Sequence, residues 1–402
     1  MKRVVVTGLG GICPIGNNIQ QIWDSVINNK SGITKNSDDK LKVKVLARVK
    51  NIQLEEYLSK KDIRFNSKFI NNALVASKEA YIDSNLQDDD INHDRFGVIV
   101  SSCIGGTEKI VESYEDEKMD SYYIPSIITS SAASKIAIDL KANGINMSIN
   151  TACASGNNAI GEAYLKIKNG SQDIIIAGSS EFAITDKVVD GFNAMRAMYS
   201  GEDINMASIP FDIKREGFVL GEGTGIVVLE ELEHAINRNA KIYGEIVSYS
   251  SNCDAYHIAR PELSGIYSGK AIKSVLDNAG LLPQDIDYIN AHGTGTVIND
   301  ITETLAIKNA FGEYYKNPLV SSTKSMTGHL LSASGAIEAI ICLKSLQEGF
   351  VPATINSSNI DSKCDLNIVC KKGIRKDINY ALSNSFGFGG DNACLIFKKW
   401  EK

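Results

Sequence analysis

Short apolar runs that close on glycine or serine recur along the chain: RVVVTGLGG, FGVIVSSCIGG, DIIIAGSSE, GIVVLEE, YGEIVSYS, DYINAHGTG, PLVSSTKS and ACLIFKKW. Runs of this length bounded by turn residues read as strands of buried sheets. Between many of them the apolar spacing lengthens to a helical one; Ile160, Ala163, Tyr164 and Ile167 fall on one helix face. Buried strands alternating with helices predict an α/β protein. Strand-loop-helix units occur on both sides of HAINRNAKIYGE, which divides the chain into an N-terminal half, 1–245, and a C-terminal half, 246–402. Each half offers strands that run into polar, glycine-rich loops: INTACASG in the first, INAHGTGT and VSSTKSMTGH in the second. A pseudo-duplicated protein with its site between the halves is expected. KNSDDKLKVK and SYEDEKMDS read as solvated surface segments.

Composition narrows the class. A chain of 402 residues, 43% hydrophobic and 22% charged, can bury a large core as one domain or two closely packed ones. A net charge of −6 argues against a nucleic-acid binder, which needs a basic surplus, so an acidic partner must meet a local basic patch. The eight cysteines include no CxxC pair and read as free thiols of a reducing compartment, with no spacing that favours zinc. MKRVVVTGLGGICPIG imitates a signal peptide, but glycines interrupt its apolar run, and it reads as a first strand and turn. No stretch approaches the ~18 apolar residues of a membrane span, and a cytoplasmic protein is expected.

Three residues carry candidate chemistry. With MSIN as a strand and a helix from Gly156 onward, Cys153 falls at the helix N-terminus, where unpaired N–H groups and the macrodipole favour a thiolate. Small neighbours would let a substrate reach the sulfur. A buried packing thiol is the competing reading, and the turn by itself does not choose. His292 in NAHGTGT and His329 in STKSMTGHLLSASGA both follow predicted strands and sit among glycines, serines and threonines rather than on apolar faces. Two such histidines, in a chain with only five, favour a nucleophile with polar helpers. GLGGIC, by contrast, has Cys13 where a dinucleotide fingerprint needs glycine, which weakens a nicotinamide-cofactor reading.

From RVVVTGLGGICPIGN through TACASG, PFDIKREGFVLGEGTGIVVLEELEHA, AHGTGT and STKSMTGHLLSASGAIEAI to NSFGFGGDNACLIF, the chain resembles the β-ketoacyl-acyl carrier protein synthases, in particular their type II elongating members. The resemblance implies a thiolase fold, two halves in a five-layer αβαβα domain, and a dimer. It implies that Cys153 takes an acyl chain as a thioester, and that His292 and His329 donate N–H bonds to the enolate left when malonyl carrier protein loses carbon dioxide. Lys324 matches the lysine that supports the histidines, with Glu338 as its partner. Phe388 in GFGG matches a gate whose backbone N–H joins the oxyanion hole, and Ile104 matches an acyl-pocket residue. No bound prosthetic group is implied, since substrates ride on the phosphopantetheine of acyl carrier protein.

Lys61, Arg64 and Arg196 resemble carrier-docking residues. Four places depart from the pattern: Phe65 follows Arg64 where another basic residue is usual, Ile209 replaces an arginine, Ala259 and Arg260 stand where hydroxyl residues hold the pantetheine arm, and Asp391 replaces threonine. Arg260 could instead contact the arm's phosphate. These departures keep a second reading open, a ketosynthase of a type II polyketide or polyene pathway, paired as a heterodimer with a chain-length-factor subunit rather than as a homodimer. A non-catalytic scaffold subunit is disfavoured because Cys153, His292 and His329 are all retained.

Overall fold

The computed structural model describes residues 1–114 and 120–401. The middle of the acidic segment SYEDEKMDS lies outside the described residues. Ten strands form one sheet: β1 (Val4–Ile12), β2 (Phe96–Ser101), β3 (Asn146–Met147), β4 (Ile174–Glu181), β5 (Gly223–Glu231), β6 (Gly244–Cys253), β7 (Tyr288–Asn290), β8 (Leu319–Ser321), β9 (Tyr380–Phe386) and β10 (Asp391–Lys398). Six helices build the layers around it: α1 (Lys68–Ser84), α2 (Ser131–Leu140), α3 (Ser155–Lys168), α4 (Ile266–Ala279), α5 (Val297–Phe311) and α6 (Ala333–Glu348).

The strand order is β8-β7-β9-β10-β6-β1-β5-β4-β2-β3. Taken outward from its centre, β6-β10-β9-β7-β8 repeats β1-β5-β4-β2-β3, with two antiparallel and then two parallel pairings in each half. The helices repeat in step, so α3 and α6 occupy matching places in their halves. The half-sheets join where β1 runs antiparallel to β6, Val4 opposite Ile246 and Val6 opposite Gly244. The division at 245/246 falls inside β6, whose first residue is Gly244.

Five layers result, as in the thiolase fold. α1 and α2 cover one outer face, and α4, with α5 packed on it, covers the other. Between the half-sheets lie α3 and α6, each touching strands from both halves. Their sequences explain the central place. Apart from Glu338 and its polar last turn, α6 is apolar or small all round, with Ala336, Ile337, Ile340, Ile341 and Leu343 nearly inaccessible, the composition of a helix buried over most of its length. α3 carries glycine where it meets α6: a Cβ on Gly156 would lie 2.6 Å from the Ser332 carbonyl oxygen. The first turns of the two central helices therefore touch, and the loops that precede them are brought together. One apolar cluster fills this middle layer with residues of both halves, from Val4 and Ile160 to Ile340 and Phe397.

Two elements differ from the sequence expectation. Of MSIN only Met147 lies in a strand; β3, Asn146–Met147, is a two-residue edge of the sheet with both side chains exposed. β9 has no apolar run; its core YALSNSF is mostly small and polar, yet Ser383, Asn384 and Ser385 are fully buried.

Candidate active site

Cys153 sits in a 3₁₀ turn, Ala152–Ala154, that runs directly into α3 at Ser155. Ala152 takes a positive φ of 48°, a strained value for a residue with a side chain. Ser155 closes the turn: its Oγ accepts the Thr151 N–H at 2.9 Å and donates to the Ala152 carbonyl at 2.7 Å. This is the elbow expected from the sequence, with the helix starting one residue earlier. The thiolate expectation is corrected, because burial pushes the Cys153 thiol up to about 12. The Lys324 charge and the backbone N–H groups of Phe388 and Cys153 pull in the other direction, and burial prevails.

The sulfur lines a cavity of ≈ 690 Å³, shared with Ile104, His292, His329, Phe388, Arg196 and Arg260. Its walls are largely apolar, with Phe218 and Leu331 packed in the same cluster as Cys153. Both histidines are 3% exposed, and their rings meet edge to face with centroids 5.4 Å apart. Phe218 stands against His329 and Phe386 against His292. Burial holds both imidazoles well below their usual range, helped by the charge of Lys324, so they are neutral.

Three carboxylates hold this region in place. Glu338 receives the Lys324 ammonium at 2.5 Å, and the two side chains are 3% and 1% exposed. Glu303 grips the His292 loop, accepting the backbone N–H groups of His292 and Gly293 at 2.8 and 2.7 Å. Glu181 ties the floor together, accepting from Ser102 and Ser332 hydroxyls and from Cys103, by both N–H and thiol. Sequence alone does not single out Glu303 or Glu181; an acid one helix away in ITETLA and one closing DIIIAGSSE form no motif. Asn290 Oδ1, Asn384 Oδ1 and Glu338 Oε2 are buried without a partner among the described residues, oxygens that suit water or a hard cation. Among the described residues no three His, Cys, Asp or Glu side chains are placed to hold a metal ion.

The GFGG loop crosses the mouth. A Cβ on Gly387 would lie 2.6 Å from the Thr151 carbonyl oxygen, so only glycine lets this loop approach the cysteine turn so closely. Phe388 itself is 37% exposed, its ring 6.4 Å from that of Phe192. Asp391 opens β10 and accepts the Gly387 N–H through its carbonyl at 2.7 Å. Ile209 is buried, which accounts for an apolar residue where an arginine is usual.

Arg196 and Arg260 are exposed at the cavity rim. Lys61 and Arg64 are not part of the cavity; they are exposed on helix Lys60–Phe65. Phe65 stacks on Tyr122 at 4.9 Å, while Arg64 lies over the Phe65 ring and Lys61 over Tyr122. The structure thus gathers Cys153, both histidines, Phe388, Ile104 and two arginines, buries Lys324 and Glu338 beside them, and leaves one basic pair outside.

A cysteine elbow facing two buried histidines across paired half-sheets is the arrangement of a condensing enzyme. The β-ketoacyl synthase N-terminal domain matches residues 1–235 and its C-terminal domain residues 243–358; the chain belongs to the β-ketoacyl synthases. It is 42% identical, over all of its length and 99% of the other, to 3-oxoacyl-acyl-carrier-protein synthase 2 of Staphylococcus aureus. Among solved structures it is similar to a type II polyketide ketosynthase, bound to a hexaketide and in complex with its acyl-carrier protein, with TM-score 0.91, 33% identity and coverage of 99% of this chain and 100% of that one. It is similar also to the ishigamide ketosynthase/chain length factor, with TM-score 0.92, 30% identity and full coverage of both chains.

Proposed function

We propose that the protein is a β-ketoacyl-acyl carrier protein synthase that performs decarboxylative Claisen condensation in fatty acid elongation. The observation that carries this reading is the convergence of one cysteine and two neutral histidines in a single apolar-walled cavity. Acyl carrier protein delivers a thioester. The Cys153 sulfur attacks its carbonyl, the N–H groups of Cys153 and Phe388 stabilise the oxyanion, and the proton of Cys153 leaves on the carrier thiol. Malonyl carrier protein then enters. Its loss of carbon dioxide puts negative charge on the thioester oxygen, which neutral His292 and His329 stabilise as N–H donors, and the carbanion attacks acyl-Cys153 to give a 3-oxoacyl carrier and free cysteine. An imidazolium is not needed, which fits the neutral state that burial imposes.

Lys324, held by Glu338, keeps a positive charge behind the histidines without occupying the cavity. Ile104 limits the acyl pocket, and Phe388 is its gate. The first half, 1–245, brings the nucleophile, and the second, 246–402, brings the histidines. Lys61, Arg64 and Arg196 receive the acidic carrier protein, and Arg260 at the rim meets the phosphate of its pantetheine arm. The edge strand β3 presents exposed Met147, with Ile124, Ile128 and Ile138 exposed in the neighbouring segments, which supports a paired subunit there. No helix among the described residues is long and apolar enough to cross a membrane, and a cytoplasmic setting fits the carrier-bound substrates.

A polyketide or polyene ketosynthase paired with a chain-length factor is the second reading. It is favoured by Phe65, whose stacking on Tyr122 replaces a basic docking residue, and by the similarity to the ishigamide structure. Incubation with acyl and malonyl carrier proteins tests the first: one carbon dioxide per 3-oxoacyl carrier by the homodimer supports it, and turnover only after addition of a second ketosynthase-like subunit supports the other.

A further inference from the structure

Ser334 is the second residue of α6, and its hydroxyl oxygen lies 3.0 Å from Nδ1 of His329. The same oxygen accepts the Leu330 backbone N–H at 2.9 Å. Ser334 is 2% exposed, so its hydroxyl hydrogen cannot turn to bulk water and must find a protein acceptor. A serine hydroxyl offers one hydrogen and two lone pairs. With the Leu330 N–H on one lone pair, two arrangements remain. In the first the hydroxyl donates to Nδ1, and donor and acceptor are both satisfied. In the second an Nδ1–H donates to the remaining lone pair, and the hydroxyl hydrogen, which has no other partner among the described residues, is buried unpaired. The first arrangement wins, and it dictates where the ring carries its proton.

We propose that Ser334 is a positioning residue that fixes neutral His329 in the tautomer protonated at Nε2, so that this histidine presents an N–H donor to a thioester in the cavity. The catalytic consequence rests on the condensing-enzyme reading; the tautomer does not. Nδ1 is turned to α6, and Nε2 is the ring nitrogen left for a ligand. His292 has no equivalent lock: its Nδ1 is buried with no partner among the described residues, and its loop is held instead through backbone N–H groups by Glu303. The two histidines are therefore set by different means, and a change at Ser334 acts on His329 alone. Leu330 and Ser334 flank Leu331 at a positive φ of 52°, so the same hydroxyl also pins the turn that carries the histidine into α6.

The test is ¹⁵N NMR of the full-length protein labelled at histidine, with signals assigned by single histidine replacements. The expected result is an Nε2–H signature for His329 that is partly or wholly replaced by Nδ1–H in Ser334→Ala and restored in Ser334→Thr, with His292 unmoved. A wild-type His329 protonated at Nδ1, or a signature identical in wild type and Ser334→Ala, overturns the proposal. In a Cys153→Gln background, release of carbon dioxide from malonyl carrier protein is expected to fall at least about tenfold in kcat on Ser334→Ala with KM little changed, and to recover with threonine. Equal kcat in the alanine variant removes the catalytic consequence. If the Cys153→Gln protein releases no carbon dioxide at all, the condensing-enzyme reading fails, while the NMR signature still decides on Ser334. Should Ser334→Ala not fold, the wild-type signature alone decides: Nε2–H upholds the assignment and Nδ1–H overturns it.

Discussion

His292 and His329 face each other edge to face, 5.4 Å between ring centroids and 83° between planes, having come from the loops after β7 and β8. Both are buried in a largely apolar cavity with a positive lysine behind them. That pairing sets how the site responds to pH. Their folded-state affinity for protons is held well below that of a free imidazole, so lowering the pH through about 6.5 leaves them neutral. Carbon dioxide release by the Cys153→Gln protein is therefore expected to be level between about pH 6 and 8. A half-loss near pH 6.5 would show that one ring titrates normally.

The cysteine behaves in the opposite sense. Burial raises its thiol to about 12, so at neutral pH the folded protein holds mainly the protonated form. Alkylation of Cys153 by iodoacetamide, followed by peptide mass spectrometry, is expected to accelerate about tenfold per pH unit from pH 7 to 10 without levelling, whereas an ordinary thiol levels near its pKa of about 8.5. Lys324→Gln removes a charge that lowers the thiol and should slow the reaction at every pH. A plateau near pH 8 would mean that the helix N-terminus prevails over burial.

Lys324 and Glu338 form an ion pair with both side chains almost wholly inaccessible. Lys324→Met strands a buried carboxylate and is expected to cost about 3–5 kcal/mol by urea denaturation. The double variant Lys324→Met, Glu338→Leu should recover most of that loss, because an apolar pair of similar size carries no desolvation penalty. Equal destabilisation of single and double variants would assign the loss to packing.

The basic pair on helix Lys60–Phe65 lies apart from the cavity and is exposed, so it can affect only encounter with the carrier. Lys61→Glu with Arg64→Glu is expected to raise the KM for carrier protein about tenfold or more at low salt, with kcat unchanged and the difference shrinking as salt rises. An unchanged KM removes this surface from docking.

Much of the fold and site is legible in the sequence. The apolar runs mark eight strands, the polar loops mark the cysteine and the histidines, and long motifs point to the family. The rest is hidden for physical reasons. β9 is buried through serines and asparagine, with Ser383 accepting from Asn157 of the central layer and Asn384 donating to Glu303, so hydropathy hides it. β3 is a two-residue edge, set by pairing with β2 rather than by its own sequence. Glu181 and Glu303 bind backbone and hydroxyl groups brought together by the fold, and carboxylates used this way look like surface acids in a sequence. The protonation of Cys153 differs from expectation because a helix terminus can be inferred from spacing, while the depth of burial cannot.

The central claim is that Cys153 carries the growing chain, and intact-protein and peptide mass spectrometry after incubation with acyl carrier protein tests it most directly. The expected result is one acyl group per chain, located on Cys153, absent from Cys153→Ser and discharged as a 3-oxoacyl product when malonyl carrier protein is added. An unmodified Cys153, or an adduct that persists in the serine variant, would contradict it.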